Sequence, residues 1–357
     1  MYEIPTPMLA KAVPAIPDPA KTPGGLSFEP KWDGFRALIA WDGAEVVIGS
    51  RGAKPLTRYF PELVDAVAAL LPEPCLLDGE IVVAQGDPAR LSWEALSQRI
   101  HPAESRVRLL SRATPAEFVA FDLLARSGRD LQAEPFSVRR SELEQLFDSL
   151  RPRPAASASR AARPPLHLTR TTTDPDLAAR WFAAFEGAGL DGIVAKPLAQ
   201  PYAPGARVML KIKHARTADV IALGYRVHKS GSGVGSLLVG LYDGDGVIHQ
   251  VGGVSAFSDA RRRDLVDELA PLVETDASGA AVRGDGERSR FTPSGKDTTF
   301  VRLRPERVLE VRYDQLEGAR FRHTVQFERW RPDRDPLSCT FAQLEQVGAY
   351  DLADVLD

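Results

Sequence analysis

The residues 29–36 of the chain, EPKWDGFR, place a lysine, an aspartate and an arginine around one glycine turn. A lysine side chain has an ordinary pKa of about 10.4, so it is protonated and a poor nucleophile at neutral pH. It becomes reactive when burial or nearby positive charge lowers that pKa. Lys31, followed by Asp33-Gly34 and then by Arg36, is therefore a candidate covalent nucleophile. The same pattern is also typical of an ordinary surface turn.

Further candidates recur along the first 213 residues in a fixed order. They are Ser50-Arg51, Asp78-Gly79-Glu80, Phe121 in the string FVAFDLL, Asp191 in DGIVAK, and Lys211 and Lys213 in KIK. Two lysines that are two positions apart on a strand project from the same face. Their charges could neutralise a phosphate and disfavour protonation of Lys31.

Each of these residues also has an ordinary structural interpretation. Phe121 lies in an apolar strand and is typical of a core residue. Asp78 and Glu80 are equally typical of exposed strand ends. Lys211 and Lys213 could form a solvated strand face, as most lysines do. The motifs therefore gain weight from their order rather than from any one residue.

The elements that must position these residues follow from periodicity and turn signals. Segments 35–40 and 45–49 are predicted strands, joined at Asp42-Gly43, a strong hairpin signal. Ser137 is the predicted N-cap of a helix over 137–150, and Asp174-Pro175 is predicted to open a helix that reaches residue 185. The remaining predictions are helices at 60–71 and 91–100, strands at 75–83, 117–124, 192–196 and 208–213, and a mobile loop at 151–165.

After residue 214 the pattern becomes mostly β. Strands are predicted at 220–227, 236–242, 247–251, 308–313 and 323–329, with one helix at 259–272. Several short strands with one helix favour a small closed barrel such as an OB-fold. We therefore predict three segments: 1–215, 216–345 and a C-terminal tail, 346–357.

Composition bounds the class of protein. A chain of 357 residues with 44% hydrophobic content is typical of two or three folded domains. The net charge of −3 means that any nucleic-acid binding must come from local clusters, such as nine arginines against six acids in 301–334. The two cysteines and six histidines are scattered, which argues against a structural zinc site. The proline-rich residues 1–18 do not resemble a signal peptide, and no apolar run is membrane-length, so we expect a cytoplasmic protein with no membrane partner.

The ordered strings resemble the nucleotidyl-transfer motifs of ATP-dependent DNA ligases, members of the covalent nucleotidyltransferase superfamily. The resemblance runs from about Pro7 to Pro336, and segments 320–327 and 330–334 resemble the C-terminal motif of small bacterial LigC-type ligases. It implies an α+β fold. A nucleotidyltransferase domain, with ATP-grasp-like antiparallel sheets and helices, would be followed by an OB-fold β-barrel.

The resemblance also implies the activity and the roles of single residues. Lys31 would take AMP from ATP and pass it to a DNA 5′-phosphate, after which a 3′-hydroxyl would close the nick. The implied role is in DNA repair. Mg²⁺, for which Mn²⁺ would substitute, is assigned to Glu80 and Asp191. The other implied roles are adenine contact for Glu29, adenine stacking for Phe121, ribose and DNA contact for Arg36 and Arg51, an additional ribose contact for Glu80, phosphate contact for Lys196, Lys211 and Lys213, and pyrophosphate orientation for Arg331 and Arg334.

Expected partners are nicked double-stranded DNA and a repair polymerase or end-joining proteins. Three positions depart from the family pattern: Asp191 where glutamate is common, Met209 where an aromatic is common, and Arg334 where lysine is common. None removes a required functional group. An RNA ligase or capping enzyme is the nearest enzymatic alternative, and a non-catalytic DNA-binding scaffold is the alternative from another class. The short region before Lys31, without a zinc motif, is atypical of the larger NAD-dependent ligases.

Overall fold

The computed structural model describes residues 2–52, 54–150, 164–214, 216–285, 298–314, 316–344 and 348–356. The chain divides into two units, Met1–Lys213 with Val347–Asp357, and His214–Gln346. Across the described ranges, no helix has the length and apolar character needed to cross a membrane.

The first unit is built on two sheets. Its strands are β1 (Leu9–Ala12), β2 (Leu26–Pro30), β3 (Phe35–Trp41), β4 (Val46–Ser50), β5 (Cys75–Val82), β6 (Ala84–Gln85), β7 (Arg90–Leu91), β8 (Glu117–Arg126), β9 (Arg129–Asp130), β10 (Leu166–Leu168), β11 (Ile193–Pro197) and β12 (Arg207–Ile212). The smaller sheet has the order β1-β12-β11-β2, and the larger has the order β10-β8-β5-β3-β4 with β9 on β8. Strands β6 and β7 form a separate hairpin.

The hairpin of β3 and β4 shows how the local sequence sets this geometry. Asp42 Oδ1 accepts hydrogen bonds from the backbone N–H groups of Ala44 and Glu45, at 3.0 and 2.9 Å. Gly43 has φ of +96°, a backbone conformation that L-residues with a side chain rarely adopt. The predicted Asp42-Gly43 turn is thus confirmed, and it fixes the register of β3 against β4.

The helices of this unit are α1 (Pro61–Leu70), α2 (Trp93–Gln98), α3 (Glu104–Ala113), α4 (Phe136–Leu150) and α5 (Pro175–Ala184). One face of the larger sheet packs on α1 and α4, through buried residues such as Ile39, Leu63 and Leu146. Side chains alternate across a strand, so the opposite face of the same sheet carries Arg36 and Glu80.

The second unit is mostly β, as the sequence predicted. It contains β13 (Arg216–Val227), β14 (Val234–Tyr242), β15 (Ile248–Val254), α6 (Asp259–Leu269), β16 (Arg283–Asp285), β17 (Thr299–Arg302), β18 (Val308–Tyr313), β19 (Leu316–Glu317), β20 (Arg320–Phe321) and β21 (Gln326–Trp330). The sheet runs β15-β14-β13-β17-β16, and β18 joins β13 to β21. A parallel bridge links Val254 at the end of β15 to Val325 just before β21.

The chain then returns to the first unit. Its last helix, α7 (Ala353–Leu356), follows Leu352, which is fully buried and whose N–H donates to the carbonyl of Ala89 at 2.9 Å. Gly348 lies so close to Gly187 that a Cβ on Gly187 would be 2.1 Å from its carbonyl oxygen. The segment predicted as a tail therefore contributes to the core of the first unit.

Several element predictions are confirmed and some are wrong. Helix α5 begins at Pro175, with Asp174 Oδ1 accepting from the N–H of Asp176 at 2.8 Å. Ser137 is not an N-cap, because the Pro135 carbonyl already accepts from Val138 and Arg139 and α4 starts at Phe136. The predicted helix 91–100 shortens to α2, and α3, β1, β2, β16 and β17 were not predicted. Most of the predicted loop, residues 151–163, lies outside the described residues.

Candidate active site

Two glycine turns bring Lys31 and Asp191 together. The N–H of Lys31 donates to the Gly192 carbonyl at 2.8 Å, and the N–H of Asp191 donates to the Lys31 carbonyl at 3.0 Å. A Cβ on Gly192 would be 2.0 Å from the Ile212 carbonyl oxygen, and one on Gly34 would be 2.1 Å from that of Ile81. Only glycine permits these approaches, which explains the glycine in both Asp-Gly pairs.

Asp191 is shared by two lysines. Lys31 Nζ lies 2.5 Å and Lys213 Nζ lies 2.9 Å from the same oxygen, Asp191 Oδ2. The side chain of Asp191 is 8% exposed, while those of Lys31 and Lys213 are 20% and 28% exposed. We call Lys31, Asp191, Lys211 and Lys213 the Lys31 cluster.

Lys211 completes this cluster from strand β12. Burial lowers the pKa of Lys211, and the positive charges of Lys31 and Lys213 lower it further, while Asp191 opposes them. Arg51, which follows β4, adds a smaller lowering contribution. Three lysines around one carboxylate leave an excess of positive charge, which is the electrostatic environment that an incoming polyphosphate requires.

Glu80 stands beside this cluster on β5. Its Oε1 accepts from the N–H of Gly34 at 3.1 Å. Burial raises the pKa of Glu80 to about 7, against the opposing effects of Arg36 and Lys31. Glu80 and Asp191 are therefore two carboxylates next to the lysines of this cluster. A pair of carboxylates beside a phosphate site suits Mg²⁺, which binds few protein ligands and completes its shell with phosphate oxygens and water.

Arg36 is locked into the sheet rather than free. Arg36 donates two hydrogen bonds of 2.6 Å to Asp78, one from Nε to Oδ1 and one from Nη2 to Oδ2. Tyr202 donates its hydroxyl to Asp78 Oδ2 at 2.7 Å and accepts from the N–H of Met8 at 3.0 Å. Burial and the neighbouring carboxylate of Asp78 raise the pKa of Tyr202, so its hydroxyl stays protonated and donates. The exposed-strand-end interpretation of Asp78 is wrong, because the residue is fully buried.

A second group lies on the adjacent strands β2 and β11. Lys196 Nζ is 2.8 Å from Glu29 Oε1 and donates to the Phe121 carbonyl at 2.9 Å. The side chains of Lys196 and Glu29 are 2% and 4% exposed. Glu29 Oε2 is also buried, and it has no hydrogen-bond partner. We call Glu29, Phe121 and Lys196 the Glu29 cluster.

Phe121 belongs to this cluster through an irregularity in β8. Asp78 pairs with Asp122 and Gly79 pairs with Ala120, so Phe121 is the extra residue of a β-bulge. Its ring centroid lies 4.6 Å from both the Arg36 guanidinium carbon and Lys196 Nζ. Phe121 is buried, as a core residue would be, yet it also contacts two predicted site residues.

Arg331 and Arg334 lie in the second unit and converge on one carboxylate. Arg331 Nη1 is 2.9 Å from Asp219 Oδ1, and Arg334 Nε is 3.3 Å from Asp219 Oδ2. Arg331 also pairs with Asp333 at 2.9 Å. The structure thus joins the two arginines to each other through Asp219 of β13.

Comparison with known proteins identifies the family. The sequence-family model of the ATP dependent DNA ligase domain matches residues 7–213. The family model of the ATP dependent DNA ligase C terminal region matches residues 230–334. DNA ligase C of Mycobacterium tuberculosis is 53% identical over 363 residues, covering 98% of this chain and 96% of that protein. This chain belongs to the ATP-dependent DNA ligase family.

Other DNA ligases that are similar to this chain support the same family membership. DNA ligase C1 of Mycolicibacterium smegmatis is 51% identical and covers 98% of the chain and 97% of its own length. A solved Lig E DNA ligase covers 92% of the chain and 100% of its own, with a TM-score of 0.57 at 17% identity, which is a likeness of fold. The predicted α+β class, with a nucleotidyltransferase domain followed by an OB-fold domain, is confirmed, as are ATP and a divalent metal such as Mg²⁺ as the family's cofactors.

Some residues that shape the ligase site were not predicted. Tyr202 holds Asp78, and Arg139 of α4 binds Asp122 through two bonds of 2.8 and 2.9 Å, next to Phe121. Both Arg139 and Asp122 are buried. Asp122 stood inside the quoted apolar string FVAFDLL, and an acid in such a string was a signal that a buried cation had to accompany it. Tyr202, which follows Pro201, carried no such signal.

Proposed function

We propose that this ligase seals 3′-hydroxyl/5′-phosphate nicks in double-stranded DNA through a covalent Lys31–AMP intermediate. The proposal rests on one observation: Lys31 lies against Asp191 in a cluster with Lys211 and Lys213, beside Glu80. This combination supplies a nucleophile, positive charge for a phosphate and carboxylates for a metal ion. The reaction would be that of a DNA ligase (ATP).

In the first step the Lys31 amine attacks the α-phosphorus of ATP. A nitrogen–phosphorus bond forms, the bond from the α-phosphorus to the bridging oxygen breaks, and pyrophosphate leaves with that electron pair. Lys31 must first give up a proton and its contact with Asp191, because a protonated amine has no lone pair to attack with. The charges of Lys211 and Lys213 would stabilise the additional negative charge on the phosphate in the transition state.

In the next two steps the nucleotide leaves the protein. A 5′-phosphate oxygen of DNA attacks the same phosphorus and releases Lys31, and the DNA 3′-hydroxyl then displaces AMP and forms the phosphodiester. Glu80 and Asp191 would hold Mg²⁺, with Mn²⁺ as a substitute. When bound, the metal would neutralise charge on the phosphate oxygens.

The remaining residues would bind substrate. Glu29 would contact adenine, Arg36 and Arg51 the ribose and later the DNA, and Arg331 and Arg334 the departing pyrophosphate. Stacking of adenine on Phe121 stays a prediction. In this structure the Arg36 guanidinium and the Lys196 ammonium are the groups that contact the Phe121 ring. Contact of Lys196 with phosphate also stays a prediction, since its ammonium is buried against Glu29 in this structure.

A cytoplasmic role in DNA repair, with a polymerase or end-joining proteins as partners, belongs to the same proposal. It is supported by a relative that is 32% identical over 315 residues, the multifunctional non-homologous end joining DNA repair protein LigD of Mycobacterium tuberculosis, of which this chain covers 36%.

The decisive experiment is intact-protein mass spectrometry after incubation with ATP and Mg²⁺. We expect the mass to rise by one AMP, and we expect this adduct to seal a nicked duplex when DNA is added without further ATP. A chain that gains no AMP, or an adduct that discharges only on RNA ends, would contradict the proposal.

A further inference from the structure

A closed ring of hydrogen bonds includes the side chain of Arg36. The Tyr202 hydroxyl accepts from the N–H of Met8 at 3.0 Å and donates to Asp78 Oδ2 at 2.7 Å. The same oxygen of Asp78 accepts from Arg36 Nη2 at 2.6 Å, and Arg36 Nη2 also donates to the Met8 carbonyl at 3.3 Å. We call Met8, Arg36, Asp78 and Tyr202 the Arg36 network.

The network is closed around one buried carboxylate. Met8, Asp78 and Tyr202 are all buried, and Asp78 has no exposure to solvent. An ion pair at such a site is weak evidence for stability, because removing the charges from water offsets much of their attraction. A polar network in which every member has a partner does, however, hold its side chains in one orientation. The arrangement therefore suggests that the orientation of Arg36 matters.

Tyr202 reaches Asp78 from the loop between β11 and β12, where its own position is fixed. Its N–H donates to the Gln132 carbonyl at 2.8 Å, and its ring centroid lies 5.6 Å from the Arg139 guanidinium carbon. Burial and the carboxylate of Asp78 raise the pKa of Tyr202, so the hydroxyl keeps the proton that it donates. One hydroxyl thus acts both as donor to Asp78 and as acceptor from Met8. A phenylalanine would keep the ring and lose both bonds.

The network holds one edge of the Arg36 guanidinium and leaves another open. Nε and Nη2 donate to Asp78, and Nη2 donates to Met8 as well. Nη1 carries the remaining two N–H groups, and it bonds to none of the described residues. The guanidinium carbon lies over the Phe121 ring, 4.6 Å from its centroid, and the Arg36 side chain is 19% exposed. Nη1 is therefore the part of the side chain that a substrate can reach.

We propose that Tyr202 is a positioning residue of this ligase, which acts through Asp78 to set the direction in which Arg36 presents Nη1 to the substrate. The inference rests on the proposed function, in which Arg36 contacts the ribose and later the DNA. A guanidinium donates its hydrogen bonds within one rigid plane, so a small turn of the group against Asp78 would misalign Nη1 with its acceptor. A misplacement of about 1 Å in a site can lower a rate by roughly 10²-fold.

The test is Tyr202→Phe in two single-turnover reactions, formation of Lys31–AMP from ATP and sealing of a nick that already carries a 5′-AMP. Arg36 is proposed to contact the substrate in both, so we expect each rate constant per folded molecule, at saturating substrate, to fall by roughly tenfold. Tyr2→Phe is the matched control. The Tyr2 hydroxyl also accepts from a backbone N–H, that of Gly128, and donates to a backbone carbonyl, that of Pro74. Neither partner belongs to the Arg36 network, so both rate constants should match wild type.

A second background distinguishes positioning of Arg36 from a general structural role. Arg36→Lys keeps a cation against the buried Asp78 but removes the planar fork, and Nη1 with it. If Tyr202 acts through Arg36, then adding Tyr202→Phe to Arg36→Lys should change each rate constant by less than about twofold. A further tenfold loss in that background would show that Tyr202 acts independently of Arg36, and it would overturn the inference. Because the cycle is measured in both reactions, it remains decisive if Arg36→Lys seals too slowly to follow.

The outcomes separate the two proposals. If wild type takes no AMP from ATP onto Lys31, the proposed function is wrong and this inference falls with it. If wild type forms Lys31–AMP and seals the nick, while Tyr202→Phe matches it in both reactions, the proposed function stands and the Tyr202 hydroxyl has a structural role alone.

Discussion

The Glu29 cluster and the Lys31 cluster both contain residues on or next to β2 and β11, but they are built in opposite ways. In the Glu29 cluster one cation meets one anion, and both side chains are at most 4% exposed. In the Lys31 cluster three lysines surround one aspartate, and the two that form ion pairs with it are 20% and 28% exposed. The first arrangement suits selection of a fixed group, because its charges are balanced and held. The second suits the proposed reaction, because its excess positive charge would attract a polyphosphate and the side chain of Lys31 is partly exposed.

Lys31→Ala should have the largest effect, since it removes the one amine proposed to bond to phosphorus. We expect no AMP adduct by intact mass, with the melting temperature close to wild type because Lys31 is partly exposed. Lys21→Ala is the control and should still acquire AMP. An AMP adduct on the Lys31→Ala protein would show that the nucleophile lies elsewhere.

Asp191→Asn and Glu80→Gln should come next. Each keeps the shape of the side chain but removes a negative charge from the proposed metal site, so we expect adenylation to slow by about 10²-fold. The Mg²⁺ concentration needed for half-maximal rate should also rise. Asp65→Asn, at an exposed acid on α1, serves as the control. Wild-type Mg²⁺ dependence in both variants would remove these carboxylates from the metal site.

Arg331→Ala and Arg334→Ala should affect one step only. Pyrophosphate leaves in the first step, so we expect formation of Lys31–AMP to fall by about tenfold, or roughly 1.4 kcal/mol. Sealing of a nick that already carries a 5′-AMP should be spared.

The matched control for these arginines is Arg329→Ala, on β21 and 62% exposed, which should leave the first step unchanged. Equal losses in adenylation and sealing would instead indicate a general role in DNA binding or folding.

Leu63→Ala should change stability and leave both clusters intact. Leu63 is fully buried on α1, against the face of the larger sheet opposite to Arg36 and Glu80. The cavity should lower the free energy of unfolding by about 2–5 kcal/mol, measured by urea denaturation. Leu70→Ala on the same helix should cost less, because Leu70 is only partly buried. Adenylation per folded molecule should match wild type, and a loss there would link the helix face to the site.

The sequence was informative where structure is local. The Asp42-Gly43 hairpin and the helix after Asp174-Pro175 were predictable because turn and cap chemistry involve adjacent residues. The N-cap at Ser137 was predicted wrongly, because the helix begins at Phe136 and its first hydrogen bonds go to the carbonyl of Pro135, two residues before Ser137. Strands β1 and β2 were not predicted, since each is defined by its pairing with β12 or β11, which lie far along the chain.

For the site, the sequence by itself determined which residue types were present and in what order. It placed Lys31 in a turn, Glu80 on a strand and Asp191 just before one, and it put Lys211 and Lys213 on the same face of a strand by side-chain alternation. Only the tertiary structure decided their partners. Lys31 and Asp191 are 160 residues apart in sequence and 2.5 Å apart in space. Lys196 is enclosed with Glu29 because two strands, β2 and β11, pair in one register. Burial and charge pairing depend on such distant contacts, and no local pattern encodes them.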